Sequence, residues 1–182
     1  STGCVYPFVT PASGGSRETD EPAPAGAYAV SCLSRERAFA DAARRRGTPV
    51  VLIRLNYAVE FRYGVLVDVG RRALAGEPVD VTTGHVNVIW QRDAVDHVLR
   101  AAPLASAPAD VLNVAGLPIV SVRDLALRFG AAFGREPRFT GAEEPTAWLN
   151  DPSRAHRLFG PPQVPLELGG LAEGGMAGGE PG

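Results

Sequence analysis

The sequence predicts an α/β fold, and three observations carry that expectation. Pro49 to Leu55 is a short continuous apolar run directly after a helical stretch, the pattern of a buried strand in a parallel sheet. Strand-like and helix-like segments then alternate along the rest of the chain. With 182 residues, 45% of them hydrophobic, the chain can bury a core as one domain without staples.

Each element follows from local pattern. Ser1 to Val9 (STGCVYPFV) is β-prone and reads as the end of a strand. Thr10 to Ala27, rich in Gly, Pro, Ser and acids, reads as a loop. Tyr28, Cys32, Phe39 and Ala43 fall at helical spacing and predict a helix to Arg46. Arg44, Arg45 and Arg46 suit its C-terminus, and Gly47 ends it. A helix from about Gly64 to Ala75 and a short strand at Val79 to Val81 follow the apolar run. Val86 to Trp90 is β-rich. Asp93 to Ala102 is helical, with Ala94, Val95, Val98, Leu99 and Ala102 as its expected inner face. Asp110 to Val114 gives another strand. Ser121, with Asp124 three residues on, caps a helix striped by Val122, Leu125, Ala126, Phe129 and Phe133. A weak strand near Arg138 to Thr140 and a short helix near Pro152 to Leu158 come last. The Gly-rich tail from Leu168 to Gly182 is expected to be disordered.

Composition excludes several classes of function. The net charge of −2 argues against nucleic acid as a partner. No run approaches the roughly 18 apolar residues of a membrane span, so a soluble protein without membrane contacts is expected. Two cysteines and no signal-like start point to the cytoplasm. All 18 basic residues are arginines, so Schiff-base and lysine-tuned chemistry are excluded. Cys4, Cys32, His85, His97 and His156 lack metal-ligand spacing and read as isolated residues, so no metal is expected. Glu143-Glu144 and Asp20-Glu21 read as solvated loop carboxylates.

One ordered set of motifs stands out. Thr2 lies three residues before Val5-Tyr6, and Tyr28 opens a helix containing Cys32 and Glu36. Leu55-Asn56-Tyr57 ends the apolar run, and Tyr63-Gly64 follows. Val88 to Asp93, Leu112-Asn113-Val114 and Ser121 to Leu125 come later in the same order. Together these resemble the extended short-chain dehydrogenase/reductase family, the NAD-dependent epimerase/dehydratases, over roughly residues 1 to 160.

The resemblance implies the C-terminal part of a doubly wound parallel-sheet, Rossmann-type NAD(P)-binding fold with a small substrate lobe. Residues 1–75 would complete the cofactor domain, 76–165 would form the lobe and 166–182 the tail. By resemblance Thr2 and Tyr28 are catalytic; Tyr28, Leu55 and Asn56 meet NAD or NADP; Thr2, Asn56 and Tyr57 meet a small-molecule substrate. The implied activity is that of an NAD(P)-dependent oxidoreductase or epimerase/dehydratase, and the Tyr28 helix would form a homodimer face. The alternative is a non-catalytic NAD(P)-binding or interaction module of the same fold. A non-functional gene fragment is a third reading.

Three departures qualify the resemblance. The family's Tyr-x-x-x-Lys lysine is replaced by Cys32. An ammonium one helical turn from Tyr28, about 6 Å along the axis, would stabilise a phenolate whose ordinary pKa is about 10. A neutral thiol does not. Arg35 is on the same face but about 10.5 Å along the axis, so Tyr28 is either a handicapped catalyst or an ordinary helix-start aromatic. Glu36 reads as an exposed structural carboxylate. The arginine that grips the diphosphate in nucleotide-sugar epimerases falls at Val86, with His85 adjacent, which argues against nucleotide-diphosphate substrates. Finally, the chain lacks the family's Gly-x-x-Gly-x-x-Gly turn and is expected to be a fragment of a longer protein.

Overall fold

The computed structural model describes residues 1–164 and 166; the expected disordered tail, 168–182, lies outside them. Along the chain, α1 (Gly26–Arg46) leads to β1 (Val51–Leu55), β2 (Ala58–Val59), α2 (Val65–Ala75), β3 (Val79–Asp80), β4 (His85–Val86) and β5 (Ile89–Trp90). Then come α3 (Gln91–Arg100), β6 (Asp110–Val114), β7 (Val120–Ser121), α4 (Val122–Phe133), β8 (Phe139–Thr140) and α5 (Ser153–Phe159). The fold is α/β, as the alternation requires.

β1 and β6 pair in parallel over five residues, from Val51 opposite Asp110 to Leu55 opposite Val114. α3 and α5 cover this pair, and Ile89, Ala94, Leu112, Val114 and Ala155 form its core. A second core gathers Val69 of α2, Leu125 and Ala126 of α4, and Val79, Val86 and Val120. Two-residue parallel pairs (β2 with β5, β3 with β8) and the antiparallel β4–β7 pair frame it. The chain passes between the two cores more than once, since β6 returns to β1 after α2 to β5 have been laid down. Where they meet, Gly116 passes the Val88 carbonyl so closely that a Cβ would lie 2.0 Å from its oxygen. Only a residue without a side chain fits there.

Several local expectations are corrected. The opening is not a strand over Ser1 to Val9: Thr2 makes a single parallel bridge to Leu55, and Gly3–Val5 then turns into a 3₁₀ helix. α1 starts at Gly26 and buries Ala29, Cys32, Leu33, Glu36 and Ala43. Tyr28 and Phe39, expected in its stripe, are 68% and 53% exposed. α3 is rotated from its expected face: Asp93, Ala94 and His97 point inward, while Val95, Val98 and Leu99 are exposed. The polar pair is drawn in by specific partners. The Val164 amide donates to Asp93 Oδ2 (2.9 Å), and His97 packs against the His156 and Phe159 rings of α5. In α4, Val122, Leu125 and Ala126 are buried as expected, whereas Phe133 is 39% exposed.

Candidate functional site

The carboxyl end of β1 organises the candidate site. The ladder with β6 continues one step past the strand, where the Asn56 amide donates to the Val114 carbonyl (2.9 Å). Tyr57 then turns the chain with a φ of 40°, a left-handed conformation that costs a non-glycine residue free energy and concentrates at functional sites. On the other side of β1, Thr2 bridges to Leu55, one residue before Asn56. Ligands of parallel α/β sheets bind outside such strand ends.

Thr2 also holds the turn that follows it. Its Oγ1 accepts the Cys4 amide (3.3 Å) and caps the Gly3–Val5 segment. That turn packs against α1 and contains Cys4. Its sulfur contributes to raising the pKa of both Tyr28 and Tyr57, a minor influence beside that of Cys32 on Tyr28 and of burial on Tyr57. Thr2 precedes this turn, Tyr28 stands on the helix it packs against, and Tyr57 lies two residues beyond Leu55, the bridge partner of Thr2. Leu55 is half-buried within β1.

Asn56 is placed differently from an open pocket residue. It is 2% exposed, and its Nδ2 donates to Asn87 Oδ1 (2.8 Å) and to the Trp148 carbonyl (3.3 Å). Asn87 in turn donates to the carbonyls of Asn150 (2.7 Å) and Gly116 (3.2 Å). Asn113 links Ser16 O (2.9 Å) to the Tyr6 hydroxyl, which donates to its Oδ1 (3.0 Å). Arg54 lies 4.6 Å over the Tyr6 ring and clamps Glu36 with Nε (3.1 Å) and Nη2 (2.7 Å). Glu36 is therefore not exposed; it is 3% exposed and Arg54 5%. Burial, the largest single influence, pushes the Glu36 carboxyl up, but the hydrogen bonds and charge of Arg54 together with those of Ser1 and its terminal ammonium outweigh it and hold the pKa below the ordinary range. Sequence reasoning missed this polar seam, although asparagines recur at the ends of the apolar segments, at 56, 87, 113 and 150.

Position 32 holds the main chemical departure. Cys32 is 3% exposed, one turn along α1 from Tyr28, and Arg35 Nη2 donates to its sulfur (3.7 Å). The thiol beside the Tyr28 hydroxyl is the main reason that the phenol's pKa is raised, opposite to what an ammonium would do. Val86, where a diphosphate-binding arginine would fall, is 1% exposed in the second core. A polar groove of about 720 Å³, lined by Arg17, Asp110, Arg154 and Arg157 among others, lies apart from these residues.

No family model matches the sequence, and no curated protein matches it. Solved structures do share its fold. Pal from Bacillus thuringiensis aligns with a TM-score of 0.73 at 21% identity, covering 91% of this chain. UDP-glucuronic acid 4-epimerase from Bacillus cereus, solved with UDP-glucuronic acid and NAD, aligns at 0.75 and 19% identity over 90% of this chain. UDP-glucose 4-epimerase from Thermus thermophilus, solved with NAD, aligns at 0.72 and 19% identity, again over 90%. The chain spans 57%, 55% and 58% of those three structures. It has the fold of the C-terminal part of a Rossmann-type sugar epimerase.

The fit to a nicotinamide cofactor is partial. Tyr28 presents its hydroxyl at an exposed helix face, beside the turn that carries Thr2. The Asn56 amide is already committed inside the protein, and Cys32 provides no charged donor to a ribose.

Proposed function

We propose that the chain is the substrate-side portion of an NAD(P)-dependent oxidoreductase or epimerase/dehydratase acting on a small hydroxy, keto or sugar-like molecule. The bridge of Thr2 to Leu55 at the carboxyl end of β1, with the following turn packed on the helix that bears Tyr28, is the observation that carries this reading. Thr2 orients the substrate oxygen, Tyr28 exchanges a proton with it, and Tyr57 lines the substrate side, while the buried Asn56 holds the strand end in place through Asn87 and Trp148. Tyr28 and Leu55 would meet the cofactor, which when bound supplies or accepts a hydride. The buried Val86 removes the cation that would grip a diphosphate, so the substrate carries none. This sets the chain apart from the UDP-sugar enzymes whose fold it shares.

The test uses the chain together with the coding sequence upstream of Ser1. An in-frame Gly-x-x-Gly-x-x-Gly turn and micromolar quenching of NADH or NADPH fluorescence support the reading; no binding of either overturns it. In a substrate screen, Tyr28→Phe is expected to lose 10²- to 10⁴-fold in turnover, the usual loss for a proton-transfer group. Cys32 at the lysine position favours a second reading, a cofactor-binding or interaction module without turnover. Binding without turnover for any hydroxy, keto or sugar substrate selects it.

A further inference from the structure

A concave groove of about 370 Å³ opens between α2 and α4, lined on α2 by Leu66, Gly70 and Leu74 and on α4 by Phe129 and Phe133. None of Thr2, Tyr28, Leu55, Asn56 or Tyr57 lines it. Leu66, Trp90 and Phe129 pack on the second core, which backs the groove. Toward solvent it presents large apolar side chains: Phe61 is 87% exposed, Leu74 53% and Phe133 39%. Two aromatic pairs frame it, Phe61 edge-on to Trp90 at 4.8 Å and Phe129 stacked with Phe133 at 6.0 Å. Single exposed apolar residues need no explanation, but a concave cluster of them marks a binding site.

Two further observations say what fits there. Gly70 lies inside α2, where glycine weakens a helix relative to alanine. A Cβ at Gly70 would meet Phe129 at 3.5 Å, an ordinary contact, whereas one at Gly130 of α4 would lie 2.5 Å from the Arg135 carbonyl oxygen. Packing therefore demands the glycine at 130 but not at 70. Gly70 shares a helix face with Leu66 and Leu74, so its missing side chain leaves room in the groove. The rim charge is also uneven. The Glu60 carboxylate is held by Arg62 through two bonds of 2.6 and 3.1 Å. The exposed Arg71 side chain, also at the groove, makes no ion pair or hydrogen bond among the described residues. We propose that this groove binds a small aromatic monocarboxylate, its ring between the two aromatic pairs and its carboxylate on Arg71. A guanidinium suits a carboxylate through two parallel N–H bonds, and the volume lies in the small-ligand range of roughly 300–1,000 Å³. The site is independent of the nicotinamide reading, because it shares none of those residues.

The probe is phenylbutyrate, titrated into the 182-residue chain carrying Trp148→Phe, so that Trp90 is the sole tryptophan. A saturable change in Trp90 emission is expected, with calorimetry giving one molecule per chain. The uncharged phenylbutyramide is expected to bind about tenfold more weakly, the lower end for a hydrogen bond to a charged group. Arg71→Gln removes that difference and leaves the affinity for the amide unchanged. Gly70→Ala weakens both probes while the urea midpoint holds or rises, which separates lost groove space from lost stability. Saturable binding of neither probe overturns the proposal, as does equal binding of the two. A chain that self-associates, that Phe61→Ala makes monomeric and that binds neither probe would make the groove a contact between copies, and the proposal would fall.

Discussion

Glu36 and Arg54 make one ion pair, and their burial decides what its loss costs. Glu36→Gln leaves the Arg54 charge buried without its counter-ion, and removing one partner of such a pair typically costs about 3–5 kcal/mol. The measurement is urea unfolding at pH 7. A loss below about 1 kcal/mol would place the pair with solvent-exposed bridges. Glu36→Leu with Arg54→Met is expected to recover most of the loss, because neither charge is then stranded. The depressed Glu36 pKa sets the pH sign. Its stability contribution is complete above the ordinary carboxylate value of about 4.3 and is lost as pH falls through the folded-state value. Sequence alone placed Glu36 on a helix face but could not reveal its partner, which stands 18 residues away on β1. Thr2 and Tyr28 were legible because a spaced pattern carries them. The surroundings of Tyr28 were legible only as the identity of residue 32, not as the contacts of its sulfur.

At the scale of elements, α3 and α5 meet through histidines, and that interface carries its own pH dependence. The His97 and His156 rings are 6.1 Å apart, His97 is 2% exposed, and its Nδ1 is buried without a hydrogen-bond partner among the described residues. Burial is the main reason that both imidazoles have lowered pKa values. The folded state then binds fewer protons than the unfolded chain. Stability is complete above about pH 6.5 and falls as pH drops below it. Asp93, Asp96 and Asp151 oppose the shift and Arg100 adds to that on His97, so the histidines do not act alone. Comparing urea midpoints at pH 7.5 and 5.5, the parent is expected to lose stability and His97→Phe to lose measurably less. Equal losses would assign the acid sensitivity elsewhere. This interface also explains why the α3 face was misread. Counting apolar residues selects Val95, Val98 and Leu99, whereas long-range partners for Asp93 and His97 turn the helix the other way. The short pairs β2–β5 and β3–β8 are hard to read for a similar reason. Two residues carry no periodicity, and only the second core fixes their register.

Across the whole molecule, Asn87 is one of the residues that join the two cores. It is fully buried and ties Asn56, beyond β1, to the Gly116 and Asn150 carbonyls, while its neighbours Val86 and Val88 belong to the second core. Asn87→Ala leaves the Asn56 amide and two carbonyls short of a partner in a place water does not reach. Each such group costs about 1–3 kcal/mol, more than the side chain's packing alone. Because those bonds span the junction, their loss is expected to weaken the coupling between cores and not only the sum of stability. The two tryptophans supply separate reporters: Trp90 packs on the second core, and Trp148 stacks on Phe8 (4.5 Å) and offers its carbonyl to Asn56. In a Trp148→Phe background fluorescence follows the α2–α4 side, and in Trp90→Phe it follows the β1 side. With Asn87 intact the two urea curves are expected to coincide, as in one cooperative transition. With Asn87→Ala they are expected to separate, the weaker core melting first. Coincident curves displaced together to lower urea would instead mean that Asn87 stabilises both cores equally and that the junction is held by the close approach of Gly116 to Val88.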